Sequence, residues 1–150
     1  MLTNFDIEKY EKKINIPTFR GVFCKNELPH IKHQNECMII NMEDSNAGDG
    51  SHWVALYKSK KDKHIYFDSF GCDIPIDIAC YCNNSYILAT MEQIQDIDSS
   101  MCGWFCLYFL DMMENNSLEK TIKIFDYDNI ENNDDIIKRY FQKYKINIKT

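Results

Sequence analysis

The chain has 150 residues, 45% of them hydrophobic and 13% aromatic, which is the composition of a folded domain and excludes a disordered chain. Its net charge of −6, from 17 Lys and Arg against 23 Asp and Glu, excludes a global positive field that would draw it to nucleic acid or to an anionic membrane. No apolar run reaches the about 18 residues of a membrane span, and the first residues lack the apolar core of a secretory signal. We therefore expect one domain over residues 1–150, inside the cell and not secreted, with all seven cysteines reduced.

The first part of the chain predicts one helix and one buried strand. Residues 5–13 have the spacing of a short amphipathic helix, whereas the pattern of residues 19–34 assigns no element. The apolar run at 37–42 predicts a buried strand. The loop that follows, at 43–51, is dense in Asp, Asn, Ser and Gly and leads the chain to His52.

An antiparallel hairpin comes next. Residues 52–57 and 64–70 are rich in aromatic and β-branched side chains, and the polar sequence KSKKDK joins them. If the turn centres near Lys60, the numbers of facing residues sum to about 120, which sets His52 opposite Asp68 with Cβ atoms about 5 Å apart. The hairpin therefore offers an imidazole with a carboxylate beside it.

The second half of the chain predicts one strand and four helices. Residues 74–82 form a short helix and 86–90 a strand, while 117–125 and 134–144 form two outer amphipathic helices. Apolar residues continue around all sides of a helix from about 102 to 114, so this helix must be central. Ser99 and Ser100 offer oxygens that would cap its N-terminus.

The central helix begins with Cys102, and a thiol at a helix N-terminus feels the positive end of the macrodipole, which favours the thiolate. Its backbone amide can donate to an oxyanion, and Gly103 leaves room for a substrate carbonyl. Gln95, in the loop before the helix, is a candidate for the second oxyanion donor, and Gln93 competes with it. A lone cysteine at such a position is more often a buried small hydrophobe, so the catalytic interpretation depends on the whole set of residues.

The base is the remaining requirement of a cysteine nucleophile. His52 with Asp68 is the best-supported pair, because His30, His33 and His64 lack a facing carboxylate so well placed. Trp53 follows the base and would shield the imidazolium or narrow the substrate cleft.

Three segments, GSHWVALY, IYFDSFG and Q-x6-CGWFCLYFL, together resemble the adenovirus-type processing protease, adenain, within the clan that contains the SUMO-specific proteases. The resemblance covers residues 38–113 and implies a papain-like α+β fold, with a small mixed sheet and a central helix that starts at the catalytic cysteine. It assigns His52 as base, Asp68 as orienting acid, Gln95 as oxyanion donor and Cys102 as nucleophile. An aspartate at position 68 follows the SUMO proteases, whereas the step from Gln95 to Cys102 is adenain-like.

The resemblance also implies a function. A viral or virus-like element, such as a virophage or a large DNA transposon, would encode a cysteine endopeptidase that matures capsid and core precursors, often after small residues such as Gly. It would act in the virion and the infected host cell, with no membrane partner.

No cofactor is expected to be required, although the adenovirus enzyme is activated by DNA and by a peptide bound through a disulfide. Asn84 holds the position of the cysteine that makes this disulfide, so a link through Cys80 or Cys82 is only a hypothesis. The basic run at 58–63 gives nucleic-acid binding weak support, because charged hairpin tips are usually solvated turns.

Other interpretations stay open at this point. The same residues would suit an isopeptidase acting on ubiquitin-like modifiers, an acyltransferase, or a catalytically silent capsid-assembly module that keeps the fold for binding. No metal site is expected, because the cysteines lack the paired C-x2-C spacing of zinc ligands. This spacing argument applies to Cys72, Cys80, Cys82 and Cys106.

Overall fold

The computed structural model describes residues 1–46, 52–59, 61–83 and 86–149. Their helices are α1 (Asn4–Ile14), α2 (Ile76–Tyr81), α3 (Cys102–Met113), α4 (Leu118–Ile122) and α5 (Asn133–Phe141), with short 3-10 turns at Ile130–Asn132 and Gln142–Tyr144. Their strands are β1 (Phe19–Cys24), β2 (Glu36–Asn41), β3 (Trp53–Lys58), β4 (His64–Phe67) and β5 (Ile87–Ala89). Among these helices, none is long and apolar enough to cross a bilayer.

The five strands form one mixed sheet in the order β1-β2-β3-β4-β5. The central strands β2, β3 and β4 pair antiparallel, whereas β1 and β5 pair parallel to their neighbours at the two edges. This arrangement confirms the predicted α+β fold with a small mixed sheet.

Both faces of the sheet are covered, so the central strands are buried on each side. On β2, Cys37 and Ile39 pack toward α3, whereas Met38 and Ile40 pack toward α2 on the other face. This alternation follows from the two-residue repeat of a strand. It explains why the sequence of β2 is a continuous apolar run instead of an alternating one.

The central helix α3 packs against the sheet through almost its whole surface. Ten of its twelve residues are buried, and Phe109 stacks on Phe67 of β4 with ring centroids 4.4 Å apart. Each such large apolar side chain contributes about 1.5–3 kcal/mol when fully buried. The prediction of a central helix is therefore confirmed, and its N-terminus at Cys102 is fixed in place by the core.

The hairpin forms as predicted, but its register differs from the prediction by two residues. The observed pairs include Ala55 with Phe67 and Lys58 with His64. An extension of this ladder sets residue 52 opposite residue 70 instead of 68. A shift of two residues keeps every side chain on its predicted face, which is why the facing pattern survives the error. The predicted turn centre, Lys60, lies outside the described residues.

Strand β1 is the element that the sequence pattern did not assign. All six of its residues are half-buried, and its parallel pairing with β2 is irregular between Phe19 and Val22. The sequence of a half-buried edge strand shows neither an apolar run nor a regular alternation of apolar and polar residues. Such a strand is therefore recognised only from its pairing with a strand distant in sequence.

The N-cap of α3 also differs from the prediction. The capping position is held by Met101, and no side chain caps the helix there. Ser99 instead accepts a hydrogen bond from the Met101 amide at 3.2 Å. Its hydroxyl thus orders the loop before the helix, and Ser100 is exposed.

Gly71 closes the turn after β4, and we expect Gly71→Ala to lower the free energy of unfolding by about 2 kcal/mol or more. The residue has φ +69°, and an added Cβ would lie 2.7 Å from the backbone oxygen of Met91. Urea denaturation measures the loss. Gly21→Ala is the matched control, since Gly21 also has positive φ (+143°) but an added Cβ would meet only the Phe23 side chain, at 3.4 Å. A smaller loss for Gly71→Ala than for Gly21→Ala would contradict the steric account.

Candidate active site

The predicted base and acid lie close together because they flank two neighbouring strands. His52 lies directly before β3, and Asp68 lies directly after β4. Because β3 and β4 are antiparallel, the start of one and the end of the other lie at the same end of the sheet. Cys102 opens α3, which packs on β3, and its sulfur is near enough to His52 to raise the pKa of the imidazole.

The His52 imidazole is held by a buried carboxylate. Its Nε2 lies 2.6 Å from Oδ1 of Asp68, whose side chain is 1% exposed. The same carboxylate accepts hydrogen bonds from the amides of Phe70 at 2.9 Å and Cys72 at 3.2 Å. Asp68 therefore orients the ring and leaves the second ring nitrogen, Nδ1, for a nucleophile.

Nδ1 of His52 is buried, and among the described residues it has no hydrogen-bond partner of standard geometry. The Cys102 sulfur nevertheless acts on the ring. Burial lowers the pKa of His52, but the hydrogen bond to Asp68 and the interaction with Cys102 outweigh it and raise the pKa from 6.5 to about 9. The imidazole thus favours its charged form at neutral pH, which is what an imidazolium–thiolate pair requires.

Phe70 covers the imidazole, and sequence reasoning missed this contact. The rings of Phe70 and His52 stack with centroids 4.5 Å apart and 28° between their planes. Phe70 lies in the turn that follows β4, beyond the last residue pair of the ladder. An aromatic face against an imidazolium stabilises its charge. No repeating sequence pattern indicates this contact.

Gln95 is buried between the turn after β4 and the loop that leads to Cys102. Its Oε1 accepts from Ser69 Oγ at 2.5 Å, and its Nε2 donates to the Ser99 backbone oxygen at 2.9 Å and to Ser99 Oγ at 3.2 Å. Gln93, the competing candidate, is exposed and donates to the backbone oxygen of Gln95 at 2.9 Å. The structure thus buries Gln95 and not Gln93, while the role of Gln95 as oxyanion donor stays a prediction.

Trp53 and Gly103 both contact the segment that leads into α1. The indole nitrogen of Trp53 donates to the backbone oxygen of Leu2 at 2.9 Å. A Cβ on Gly103 would lie 3.2 Å from Cδ1 of Leu2 and 3.5 Å from Cδ1 of Ile7. The absent side chain of Gly103 therefore makes room for Leu2, and the predicted substrate-binding roles of both residues stay predictions.

Cys102 is buried, with 2% of its surface exposed, and so are three of the other thiols, Cys37, Cys82 and Cys106. Desolvation raises the pKa of Cys37 to about 12 and that of Cys82 to about 11, and it raises the pKa of Cys106 well above the ordinary value. Cys72 and Cys80 are exposed. All seven cysteines lie within the described residues, and none of them is in a disulfide. Within the same residues, no group of three His, Cys, Asp or Glu side chains is placed to hold a metal ion.

Some of the residues that could bind an activating peptide or DNA are exposed, and others are buried or already paired. Cys80 is exposed, whereas Cys82 is 2% exposed, so only the former presents its sulfur to a peptide. Asn84 lies outside the described residues. Of the basic run, Lys58 forms an ion pair with Asp62 at 3.2 Å. Activation by a peptide or by DNA stays a hypothesis.

Comparison with solved structures establishes the fold. The ASFV pS273R protease matches in two crystal structures. The selenomethionine form matches at TM-score 0.62 and 16% identity, covering 99% of this chain and 69% of that chain. The other form matches at TM-score 0.56 and 15% identity, covering 99% and 68%. The central domain of the uncharacterized Lpg1148 protein from Legionella pneumophila matches at TM-score 0.50 and 15% identity, covering 95% and 94%.

At these identities the likeness shows the fold, which is the papain-like α+β fold of SUMO-protease-type cysteine proteases. No protein-family model matches the chain. No curated protein sequence matches it either. Membership of the adenain family and a virophage or transposon origin therefore stay predictions.

The pKa of His52 gives a direct test of the site by NMR titration of the imidazole. We expect a midpoint of about 9 in the native protein. Asp68→Asn should lower it more than Cys102→Ser, because Asp68 is the stronger of the two groups that raise it. His64, whose pKa burial lowers, is the control whose midpoint should not change. A His52 midpoint below 6.5 in the native protein would contradict the geometry.

The same pKa predicts how stability depends on pH. Because the folded pKa of about 9 lies above the reference value of 6.5, the contribution of His52 is fully present below about 6.5 and is lost as pH rises through about 9. We expect the difference in unfolding free energy between the native protein and His52→Gln to decrease from pH 6.5 to pH 9, as measured by urea denaturation. A difference that increases with pH would have the wrong sign.

Proposed function

We propose that the protein is a cysteine endopeptidase with Cys102 as nucleophile, His52 as base and Asp68 as the acid that orients the base. The observation that carries this proposal is the 2.6 Å contact between His52 and Asp68 beside a sulfur at a helix start. Three groups of different chemistry meet at one end of the sheet, in the roles that peptide-bond hydrolysis requires.

The geometry supports a defined order of proton transfers. In the imidazolium–thiolate pair, the proton of the Cys102 thiol already resides on Nδ1 of His52, and the thiolate sulfur attacks the substrate carbonyl carbon. The carbonyl oxygen becomes an oxyanion, which the amide of Cys102 can bind because the first amides of a helix have no intrahelical acceptor. His52 then gives the proton to the leaving amine, and a thioester remains on Cys102. Water, deprotonated by His52, releases the carboxylic acid and restores the thiol.

The path for a polypeptide substrate follows a groove beside Trp53. A cavity of about 560 Å³ lies between this residue, the start of α1 and the end of β1. Its walls are mainly apolar and include Phe5, Val22 and Phe23, together with Glu27. A groove of this size holds several residues of an extended chain, and Trp53, which lines it, is adjacent to His52 in the sequence.

The substrate class rests on the resemblance to adenain. We propose that the natural substrates are viral capsid or core precursors, cut after small residues such as Gly during virion maturation. Support comes from the three sequence segments and from a fold shared with a viral protease. The site of action would be the virion or the infected cell.

Hydrolysis of fluorogenic peptides that end in Gly-Gly tests the proposal. We expect Cys102→Ser and His52→Ala to lower kcat/KM by about 10³-fold or more, because neither the nucleophile nor the base has a substitute in the site. Cys80→Ser, which removes an exposed thiol, is the matched control and should retain activity.

The outcomes separate the competing functions. A ubiquitin-fluorophore conjugate cleaved far faster than the peptides would indicate an isopeptidase, and hydrolysis that depends on acyl-CoA would indicate an acyltransferase. A folded protein that cleaves none of these substrates would leave the capsid-assembly module as the better account. Full activity of Cys102→Ser would contradict the assigned nucleophile.

A further inference from the structure

Ser69 makes two hydrogen bonds to Gln95 and one to the preceding residue, Ile94, although the predicted mechanism gives Ser69 no role. Its backbone oxygen accepts from the amides of Ile94 at 2.9 Å and Gln95 at 3.0 Å. Its hydroxyl donates to Oε1 of Gln95 at 2.5 Å. The Ser69 and Gln95 residues are each 0% exposed, so water does not compete for these bonds.

The orientation of the Gln95 amide is determined by its partners. The Ser99 backbone oxygen can only accept, so the group 2.9 Å from it must be the nitrogen of the amide. Oε1 therefore faces Ser69, and the Ser69 hydroxyl is the donor in that contact. A flipped amide would set two acceptors against each other at the Ser99 end.

The hydroxyl oxygen of Ser99 can only accept a hydrogen bond from Gln95, because the hydroxyl proton is donated to another residue. Its hydroxyl donates to Oδ1 of Asp134 at 2.9 Å and accepts from the amide of Met101 at 3.2 Å. The contact from Nε2 of Gln95 to this hydroxyl is long, at 3.2 Å, and is one of two that the hydroxyl oxygen accepts. The second N–H of Gln95 is thus only weakly engaged, on the loop that leads to Cys102.

We propose that Gln95 donates to the oxyanion and that Ser69 is the residue that positions it. This inference rests on the proposed peptidase function. The Ser69 hydroxyl fixes Oε1, which leaves Nε2 on the side of the Cys102 loop. When the substrate carbonyl becomes an oxyanion, the weakly engaged N–H exchanges the Ser99 hydroxyl for that oxygen. Because Ser69 follows Asp68 directly, one turn positions both the base and the oxyanion donor.

Steady-state kinetics of Ser69→Ala tests the role. We expect kcat to fall about 10-fold with KM changed less than about twofold, since the donor acts on the transition state and not on substrate binding. Alkylation of Cys102 by iodoacetamide requires the thiolate but forms no oxyanion, so its rate should stay within about twofold of the native rate. Ser100→Ala, which removes an exposed hydroxyl from the same loop, is the matched control.

A double-mutant cycle tests whether Ser69 acts through Gln95. Gln95→Ala should lower kcat by about 10²-fold. The kcat of the double variant with Ser69→Ala should differ from that of Gln95→Ala by less than about twofold. Gln95→Glu keeps the shape and the oxygen that faces Ser69 but removes the N–H donors, so it should lose as much as Gln95→Ala.

Three results would overturn the inference: a native kcat in Ser69→Ala, losses that multiply in the double variant, or alkylation that falls in parallel with kcat. A native protein whose Cys102 is alkylated but which hydrolyses no peptide would overturn the proposed function first, and this inference with it. A protein that hydrolyses peptides but is insensitive to Ser69→Ala would overturn this inference alone.

Discussion

The structure of the site depends on a buried carboxylate whose charge is compensated. Asp68 is 1% exposed, and an ion removed from water at that depth is costly unless it is paired and hydrogen-bonded. Its compensation comes from the imidazole of His52 and from the amides of Phe70 and Cys72. Both amides belong to the turn that Gly71 allows. This turn therefore stabilises the Asp68 carboxylate, which in turn orients the imidazole of His52. A substitution that opens this turn would release the imidazole and leave a carboxylate without partners.

The resulting site is a short stretch of chain in which each residue has a distinct contact. Asp68 binds the imidazole, Ser69 holds Gln95, Phe70 stacks on His52, and Gly71 turns the chain away. This stretch follows β4, which packs against α3 through the stacked rings of Phe67 and Phe109. The stretch is therefore anchored to the core at the point where it leaves β4.

Much of this arrangement could be predicted from the sequence, because it follows from repeating patterns and short motifs. Hydrophobic periodicity identified four of the five strands and the central helix, and the hairpin brought His52 near Asp68. The register was wrong by two residues because a polar turn without Gly or Pro does not show its centre. Strand β1 was missed because its partner is distant in sequence. The contacts of Ser69, Ser99 and Phe70 are single side-chain events without any period, so only coordinates reveal them.

The central claim is that His52 activates Cys102, and alkylation by iodoacetamide with mass-spectrometric mapping of all seven cysteines tests it most directly. At pH 6.5, below the ordinary thiol pKa of about 8.5, Cys102 should be modified faster than the exposed Cys80. His52→Ala should remove that difference. An unmodified Cys102 in the native protein, or modification that is unchanged in His52→Ala, would contradict the account.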